Sequence, residues 1–395
     1  MTTDTTAAPS KPHKGIIDPL REWWDGLARP MQWLVGVPVL VLIALLPVLP
    51  IPLIPTTAVD FGAVMAQVAM LALIAIGLNV VVGQTGLLDL GYVGFYAVGA
   101  YTVAILTSPS SPLFAGRGQG IFEHTGTWAW LACVPLAIVI TGVSGLILGT
   151  PTLRLRGDYL AIVTLGFGEI VRLSAQNFTD ITNGASGLSE IAFPPVGKAP
   201  SNNNEGVFSS GNGADPLNSG VWWYWLGIVL VLIVLVIVGN LERSRVGRAW
   251  VAIRDDEDAA EIMGVPTFRF KLWAFVIGAG IGGMSGALYA GQVQYVDPQN
   301  FNVINSMLFL CAVVLGGQGN KLGVIVGAFL VVYLPARVQG VHVGGQSLGD
   351  FKYLFFGIAL VVLMIFRPQG LFPARQKLIA FGRRVYRRQG RGGAA

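Results

Sequence analysis

FGAVMAQVAMLALIAIGLNVVV, residues 61–82, runs for 22 residues without one Asp, Glu, Lys or Arg. About 20 apolar residues in a helix cross a hydrocarbon core of about 30 Å, and unpaired backbone groups in lipid cost several kcal/mol each, so this run reads as a transmembrane helix. The rest of the chain agrees with it. Of 395 residues, 53% are hydrophobic and 12% charged, whereas soluble domains carry about a quarter charged residues. That balance excludes an ordinary soluble enzyme. The 52 Gly, 20 Phe, 10 Trp and 10 Tyr are the mix of small residues and interfacial aromatics found in packed transmembrane helices. The expected fold class is all-α and polytopic.

Outward from residues 61–82, ten segments approach the same standard. They run from Gln32 to Ile54, Phe61 to Val82, Leu87 to Leu106, Trp128 to Thr150, Asp158 to Leu173, Val221 to Asn240, Phe268 to Gln292, Ile304 to Leu315, Leu322 to Ala336 and Tyr353 to Phe366. The first is too long, and too far behind a polar tail, for a cleaved signal peptide. Several later ones are short or broken by glycine, which leaves room for a re-entrant or discontinuous helix, most of all at Asp158 to Leu173.

Orientation follows from the basic residues. With both termini inside, 21 of the 26 Lys and Arg fall on the cytoplasmic side: the N-terminal tail, Arg154 to Arg156, Arg243 to Lys271, Lys321, and Arg367 onward. Arg117, Lys198, Arg337 and Lys352 stand outside, and Arg172 lies near a span end. The formal charge of +5 is then mostly an inner-leaflet feature, suited to anionic lipid and not to nucleic acid. The chain divides into a cytoplasmic tail at 1–30, a transmembrane domain at 31–372 and a basic cytoplasmic tail at 373–395. Within the domain, residues 174–220 form a long external loop and 241–267 a cytoplasmic loop. The external loop ends on Trp222-Trp223-Tyr224-Trp225, an expected interfacial anchor.

Familiar chemical signatures are absent or misleading. Gly278-Ala279-Gly280-Ile281-Gly282-Gly283 matches a dinucleotide-binding pattern in letters only, because it lies inside an apolar span with no preceding strand. Gly278, Gly282 and Gly286 recur every four residues instead, a small-residue face for close helix packing; Thr141, Gly145 and Gly149 repeat that spacing. No phosphate-binding loop of the G-x-x-x-x-G-K-[ST] type occurs. Cys133 and Cys311 sit in apolar runs and the three histidines in polar ones, so no metal centre is expected. No paired carboxylates or nucleophile–base pair mark a catalytic site.

Polar residues at membrane depth are costly and therefore satisfied or functional. Glu169 and Arg172, three apart, share a helical face as a structural ion pair or a gating element. Asp89, with Gln84 and Thr85, reads either as a cap or intersubunit contact, or as part of a transport pathway. Asn79 is expected to hydrogen-bond a neighbouring helix. Val81-Val82-Gly83-Gln84-Thr85-Gly86 and Val313-Val314-Leu315-Gly316-Gly317-Gln318-Gly319 are faintly alike, as duplicated transporter halves would be.

In the cytoplasmic loop, Asp255 is placed to cap a short helix with an acidic first turn that stops at Gly264. Charged at one end and apolar at Ile262 and Met263, such a helix suits a groove on a partner; an amphipathic linker between spans is the other reading.

Asp258-Ala259-Ala260-x-x-x-Gly264 resembles the EAA-x-x-x-G coupling loop of bacterial ABC importer permeases. Three further blocks narrow the resemblance. They are Gly77-Leu78-Asn79 with Gly83-Gln84-Thr85-Gly86-Leu87-Leu88-Asp89-Leu90-Gly91-Tyr92, the run LRLRGDYLAIVTLGFGE at 153–169, and Arg367-Pro368-Gln369-Gly370-Leu371. Together they resemble the M-type (LivM-type) permeases of branched-chain amino acid importers over roughly Gln67 to Phe372. At Thr182-Asn183-Gly184-Ala185-Ser186-Gly187 this chain departs from the more usual Thr-Gly-Gly-Pro-Asn-Gly.

The resemblance implies a transport subunit of the inner membrane that is not itself an enzyme and binds no cofactor. ATP and Mg would reside in two cytoplasmic ATPase subunits. A homologous H-type permease would complete the pathway, and an external solute-binding protein would deliver leucine, isoleucine or valine. The coupling loop would comprise Arg254, Asp255, Asp256, Glu257, Asp258, Ala259, Ala260 and Gly264. The candidate pathway residues are Gln84, Thr85, Asp89, Thr164, Glu169, Thr182, Asn183 and Gly184. A permease for urea, short amides or other amino acids shares the scaffold; an ion-coupled secondary transporter would lack the docking loop.

Overall fold

The computed structural model describes residues 38, 40–48, 60–114, 129–155, 157–194, 196, 207–208, 218–340, 342–343, 346–366 and 370–372. Residues up to Leu46 form one unit, of which a helical stretch at 40–45 is described, and Pro47 onward a second. The expected span from Gln32 to Ile54 falls largely outside the described residues, as do both tails and Arg156.

In the second unit every other expected segment contains a helix. These are α1 (Phe61–Leu78), α2 (Val93–Thr107), α3 (Ala129–Thr152), α4 (Asp158–Asn177), α5 (Ser219–Arg243), α8 (Thr267–Val293), α9 (Val303–Gly316), α10 (Lys321–Val338) and α11 (Lys352–Phe366). Between α5 and α8 lie α6 (Arg245–Asp255) and α7 (Glu257–Ile262). Among the described residues, five helices are long and apolar enough to cross a membrane: α1 with its extension to Gln84, α3, α5, α8 and α10. The helices α2, α9 and α11 are apolar but shorter.

Burial ranks these helices. The most apolar window of α1 is 94% buried, against 28% for α10, so α1 forms the centre of the core and α10 its margin. Helix α8 packs between α3 and α2 and also touches α1. Its glycines explain how. A Cβ at Gly278 would lie 2.7 Å from Val81 Cγ2, one at Gly282 3.2 Å from the Tyr92 ring, and one at Gly286 2.2 Å from the Tyr96 carbonyl. On the opposite side, a Cβ at Gly283 would lie 2.1 Å from Thr141 Oγ1. Small residues let the backbones meet, and the gain is close van der Waals contact.

Three expectations about element boundaries are corrected. The span expected from Leu87 starts as helix only at Val93, and the discontinuity expected at Asp158 lies here instead. Helix α1 widens into a π-helical turn at Asn79–Gln84, Gly86 takes φ +74°, and the chain stays irregular through Gly91. Asp89 Oδ1 accepts from the Gly91 N–H at 2.9 Å, the kind of local side-chain bond that competes with a helix ladder. Helix α4, by contrast, is continuous from Asp158 to Asn177, so residues 174–177 are helix and not external loop. The Trp222–Trp225 cluster is only partly an interfacial anchor. Trp223 and Tyr224 are buried, and the Trp223 indole donates to the Phe208 carbonyl at 3.2 Å.

Beyond α4 the chain is ordered by small polar contacts. A helical turn at Thr179–Thr182 and a 3-10 turn at Gly184–Ser186 lead into β1 (Leu188–Ser189), which pairs antiparallel with β2 (Tyr295–Val296), Leu188 facing Val296. A hairpin joins β3 (His342–Val343) and β4 (Gln346–Ser347). Asp60 joins Asn218 at 2.7 Å, and Ser108 meets the Ser189 carbonyl. At another place residues 83–84, 242, 254, 319–321 and 372 meet one another. The first group contains stretches that the charge tally puts outside and the second only stretches that it puts inside, so the contacts and the tally agree.

Candidate functional site

The irregular segment between α1 and α2 is the first candidate. Its backbone is held on both sides by side chains of other helices. The Leu90 N–H donates to Thr164 Oγ1 of α4 at 3.1 Å, and Ser306 Oγ of α9 donates to the Leu90 carbonyl at 2.5 Å. Tyr92 Oη donates to the Gly278 carbonyl of α8 at 2.6 Å. Asp89, Thr164 and Ser306 are 1%, 0% and 1% exposed, so this junction of three helices is closed. Asp89 Oδ2 is buried without a hydrogen-bond partner. Non-helical backbone inside a membrane protein needs its N–H and C=O groups satisfied by protein, and Thr164 and Ser306 do that for Leu90.

Asp89 and Thr164, which the sequence named separately, are therefore brought together. Ser306 was missed: a lone serine near the start of an apolar run carries no signal before the chain is folded.

Other candidates lie elsewhere. Glu169 and Arg172 form the expected ion pair, with Arg172 Nε 3.0 Å from each carboxylate oxygen and Nη1 3.3 Å from Gln176 Oε1. Thr182 Oγ1 donates to the Ala175 carbonyl at 2.6 Å, Asn183 adopts φ +59° and donates from Nδ2 to the Gly187 carbonyl at 2.9 Å, and Gly184 has φ +57°. This loop closes the far end of α4. Thirteen residues of helix separate Thr164 from Asn177, a rise of about 20 Å, so the loop does not join the Asp89 junction.

The second candidate is the α6–α7 corner. Asp255 is the last residue of α6, not a cap; the cap is Asp256, whose Oδ1 accepts from the Ala259 N–H at 3.0 Å. Asp256 has extended backbone (φ −159°, ψ 111°), which separates α7, the short helix that the sequence placed after Asp255, from α6, which it did not place. Glu257 and Asp258 then sit in the first turn of α7, where the helix dipole favours them. Ala260 is buried. Gly264, at φ +85°, ends α7, and the Val265 N–H reaches back to the Ala260 carbonyl at 3.0 Å. Ile262 and Met263 at the tip are 85% and 82% exposed.

The corner is anchored from behind. Glu257 pairs with buried Lys271 of α8 at 2.5 Å. The Trp250 indole donates to the Phe270 carbonyl at 2.8 Å. Arg254 Nη1 donates to the Gly83 carbonyl. Gln84 Nε2 donates to Glu242 Oε1 at 2.5 Å, and the other Glu242 oxygen meets Lys321 Nζ at 2.6 Å. Asn79 Oδ1 accepts from the Gly319 N–H at 2.7 Å, so its partner is a turn and not a helix. Gln84 thus belongs under the corner, apart from Asp89, while Thr85 Oγ1 only caps back onto the Val81 carbonyl at 2.6 Å. The two faintly similar segments, 81–86 and 313–319, also prove to be neighbours: a Cβ at Gly83 would lie 2.5 Å from the Gly319 nitrogen.

The family described as "Branched-chain amino acid transport system / permease component" matches residues 61–364. The high-affinity branched-chain amino acid transport system permease protein LivM of Salmonella typhimurium is 39% identical over 308 residues, covering 76% of this chain and 67% of the relative. The LivM protein of Escherichia coli K12 has the same identity and coverage. The LivH permease protein of Escherichia coli K12 is 24% identical over 302 residues, covering 76% of this chain and 90% of that one. No solved structure matches the chain.

Proposed function

The chain belongs to the family of permease components of branched-chain amino acid transport systems, and we propose that it is the M-type membrane subunit of an ATP-driven importer of leucine, isoleucine and valine. The observation that carries this reading is the match of the whole helical domain, residues 61–364, to a transport family, in a chain whose best exposed apolar tip lies on the α6–α7 corner. Ile262 and Met263, adjacent at the tip and 85% and 82% exposed, are the apolar end that a partner would cover. A capped, acidic, tightly anchored corner is a rigid plug of the kind a partner groove accepts.

In this reading two ATPase subunits, which hold the ATP and Mg, receive the corner formed by Arg254, Asp255, Asp256, Glu257, Asp258, Ala259, Ala260 and Gly264. An H-type permease related to LivH provides the other half of the pathway, and a binding protein on the outside supplies the solute. The bacterial inner membrane is the site of action, with the corner and both termini on the cytoplasmic side. The junction at Asp89, Thr164 and Ser306 is the closed point of the pathway in this conformation. Its contacts are bonds to backbone groups, which can be exchanged for others when the helices shift.

The test is reconstitution of the chain with an H-type permease and two ATPases in proteoliposomes, with the binding protein outside. Uptake of labelled leucine that requires ATP hydrolysis is the expected result. Uptake that persists without any ATPase subunit overturns the reading in favour of a secondary transporter. Stimulation of hydrolysis by urea or amides but not by branched-chain amino acids overturns the assigned substrate.

A further inference from the structure

The wide turn that ends α1 has two properties not required for crossing a membrane. It is a π-helix of six buried residues, Asn79–Gln84, a form that is rare and concentrates at functional sites. It is also gripped from outside its own helix at three points. Arg254 holds the Gly83 carbonyl, Glu242 holds the Gln84 amide, and Asn79 takes the Gly319 N–H.

Two of these grips lead to the α6–α7 corner. Arg254 is on the last turn of α6, two residues before Asp256, where the chain turns. Gly86 admits it closely, since a Cβ there would lie 3.2 Å from Arg254 Cγ, and Gly86 itself is at φ +74°. Glu242 is on the last turn of α5, close to Ser244, the N-cap of α6. Lys321, at the start of α10, fixes the second Glu242 oxygen. A displaced corner therefore pulls on the end of α1 through one charged donor to backbone and one amide-to-carboxylate bond. Five residues beyond Gln84 the chain reaches Asp89 and the junction with Thr164 and Ser306.

A π-turn has a discrete alternative. Returned to α-helical form it gives up one residue, which rotates the chain beyond it by about 100° and shifts it by about 1.5 Å along the axis. A two-state element of this kind is what long-range coupling requires. We propose that Arg254 and Gln84 are positioning residues that transmit movement of the α6–α7 corner to the Asn79–Gln84 turn, and through it open and close the Asp89–Thr164–Ser306 junction. This inference rests on the importer reading above and says how the two candidate sites are joined.

The test uses the complete reconstituted complex and reads solute moved per ATP hydrolysed. Arg254→Ala is expected to lower that ratio at least about fivefold, the low end of measured coupling effects, with Arg254→Lys largely restoring it. Glu242→Lys and Lys321→Glu singly are expected to lower the ratio, and the double exchange to restore it; both side chains are partly exposed, at 30% and 24%, so the exchange is tolerable in packing. An unchanged ratio in Arg254→Ala, or an assembled double exchange no better than the single variants, overturns the proposal. Failure of both Arg254→Ala and the double exchange to assemble also overturns it, since the ties then hold the complex together and transmit nothing. Wild-type uptake that needs no ATP hydrolysis would instead sink the importer reading itself, and is distinguished by the unsubstituted control.

Discussion

Thr164 shows how much one hydroxyl does at membrane depth. It accepts the Leu90 N–H at 3.1 Å while donating to the Ala161 carbonyl at 3.0 Å, so it serves its own helix and an irregular one at once. Thr164→Val keeps the shape and removes the acceptor, leaving the part-buried Leu90 N–H unpaired at a cost of up to about 1–3 kcal/mol. The expected result is a lower melting temperature for the purified complex, with Thr164→Ser close to wild type. Equal melting of the Val and Ser variants would show that the hydroxyl is not holding Leu90. Asp256 is a second single-residue case. Asp256→Ala removes the cap of α7 and is expected to cost about 0.5–2 kcal/mol, seen as faster amide hydrogen exchange over Glu257–Ile262 with little change in α8. That LRLRGDYLAIVTLGFGE carries a family resemblance was legible in the sequence, but that its threonine bonds to Leu90 was not, because the two are 74 positions apart in sequence.

At the scale of elements, α8 and α7 make opposite demands on their glycines. Gly286 in α8 leaves no room: the Tyr96 carbonyl and the Ala100 nitrogen would lie 2.2 and 2.7 Å from an added Cβ. Gly286→Val is therefore expected to push α2 from α8, at about 1–3 kcal/mol or more of overpacking, and to reduce the amount of folded protein recovered from membranes. Gly264 at the end of α7 has nothing within 4 Å of an added Cβ but sits at φ +85°. Its constraint is conformational, not steric. Gly264→Pro forces φ near −65° and removes an N–H that donates to the Glu261 carbonyl at 2.9 Å. The expected outcome is a stable membrane domain whose ATPase partners either fail to bind or hydrolyse ATP without transport; full coupled uptake in that variant contradicts the docking role. The four-residue spacing of Gly278, Gly282 and Gly286 predicted close approach from the letters alone. It did not say which helices approach, and the answer divides among Val81 beyond α1, the Tyr92 ring and α2.

For the whole molecule, orientation is the property most directly tested. Cysteines placed at Met263 on the corner and at Asn300 near β2 are expected to react with an impermeant maleimide from opposite sides of the membrane, Met263 from the cytoplasmic side only. Labelling of Met263 from outside and Asn300 from the cytoplasm would reverse the assignment made from the basic residues, and labelling of both from one side would contradict it. The amino-acid sequence by itself determined that the chain lies in a membrane, that it is helical and where most of the helices run, and its basic residues propose which way they face. Those properties follow from apolar length, from glycine spacing and from where Lys and Arg are distributed, all of which are local in the chain. Tertiary structure alone decided where the helical pattern breaks, moving the discontinuity from Asp158 to residues 79–92. It also decided that Asp256 and not Asp255 turns the corner, and that Gln84 joins Glu242 and Lys321 while Asp89 joins Thr164 and Ser306. The Asp256 cap is a local and exposed bond; the other outcomes depend on which distant group meets a polar atom at membrane depth, and no local pattern specifies that partner.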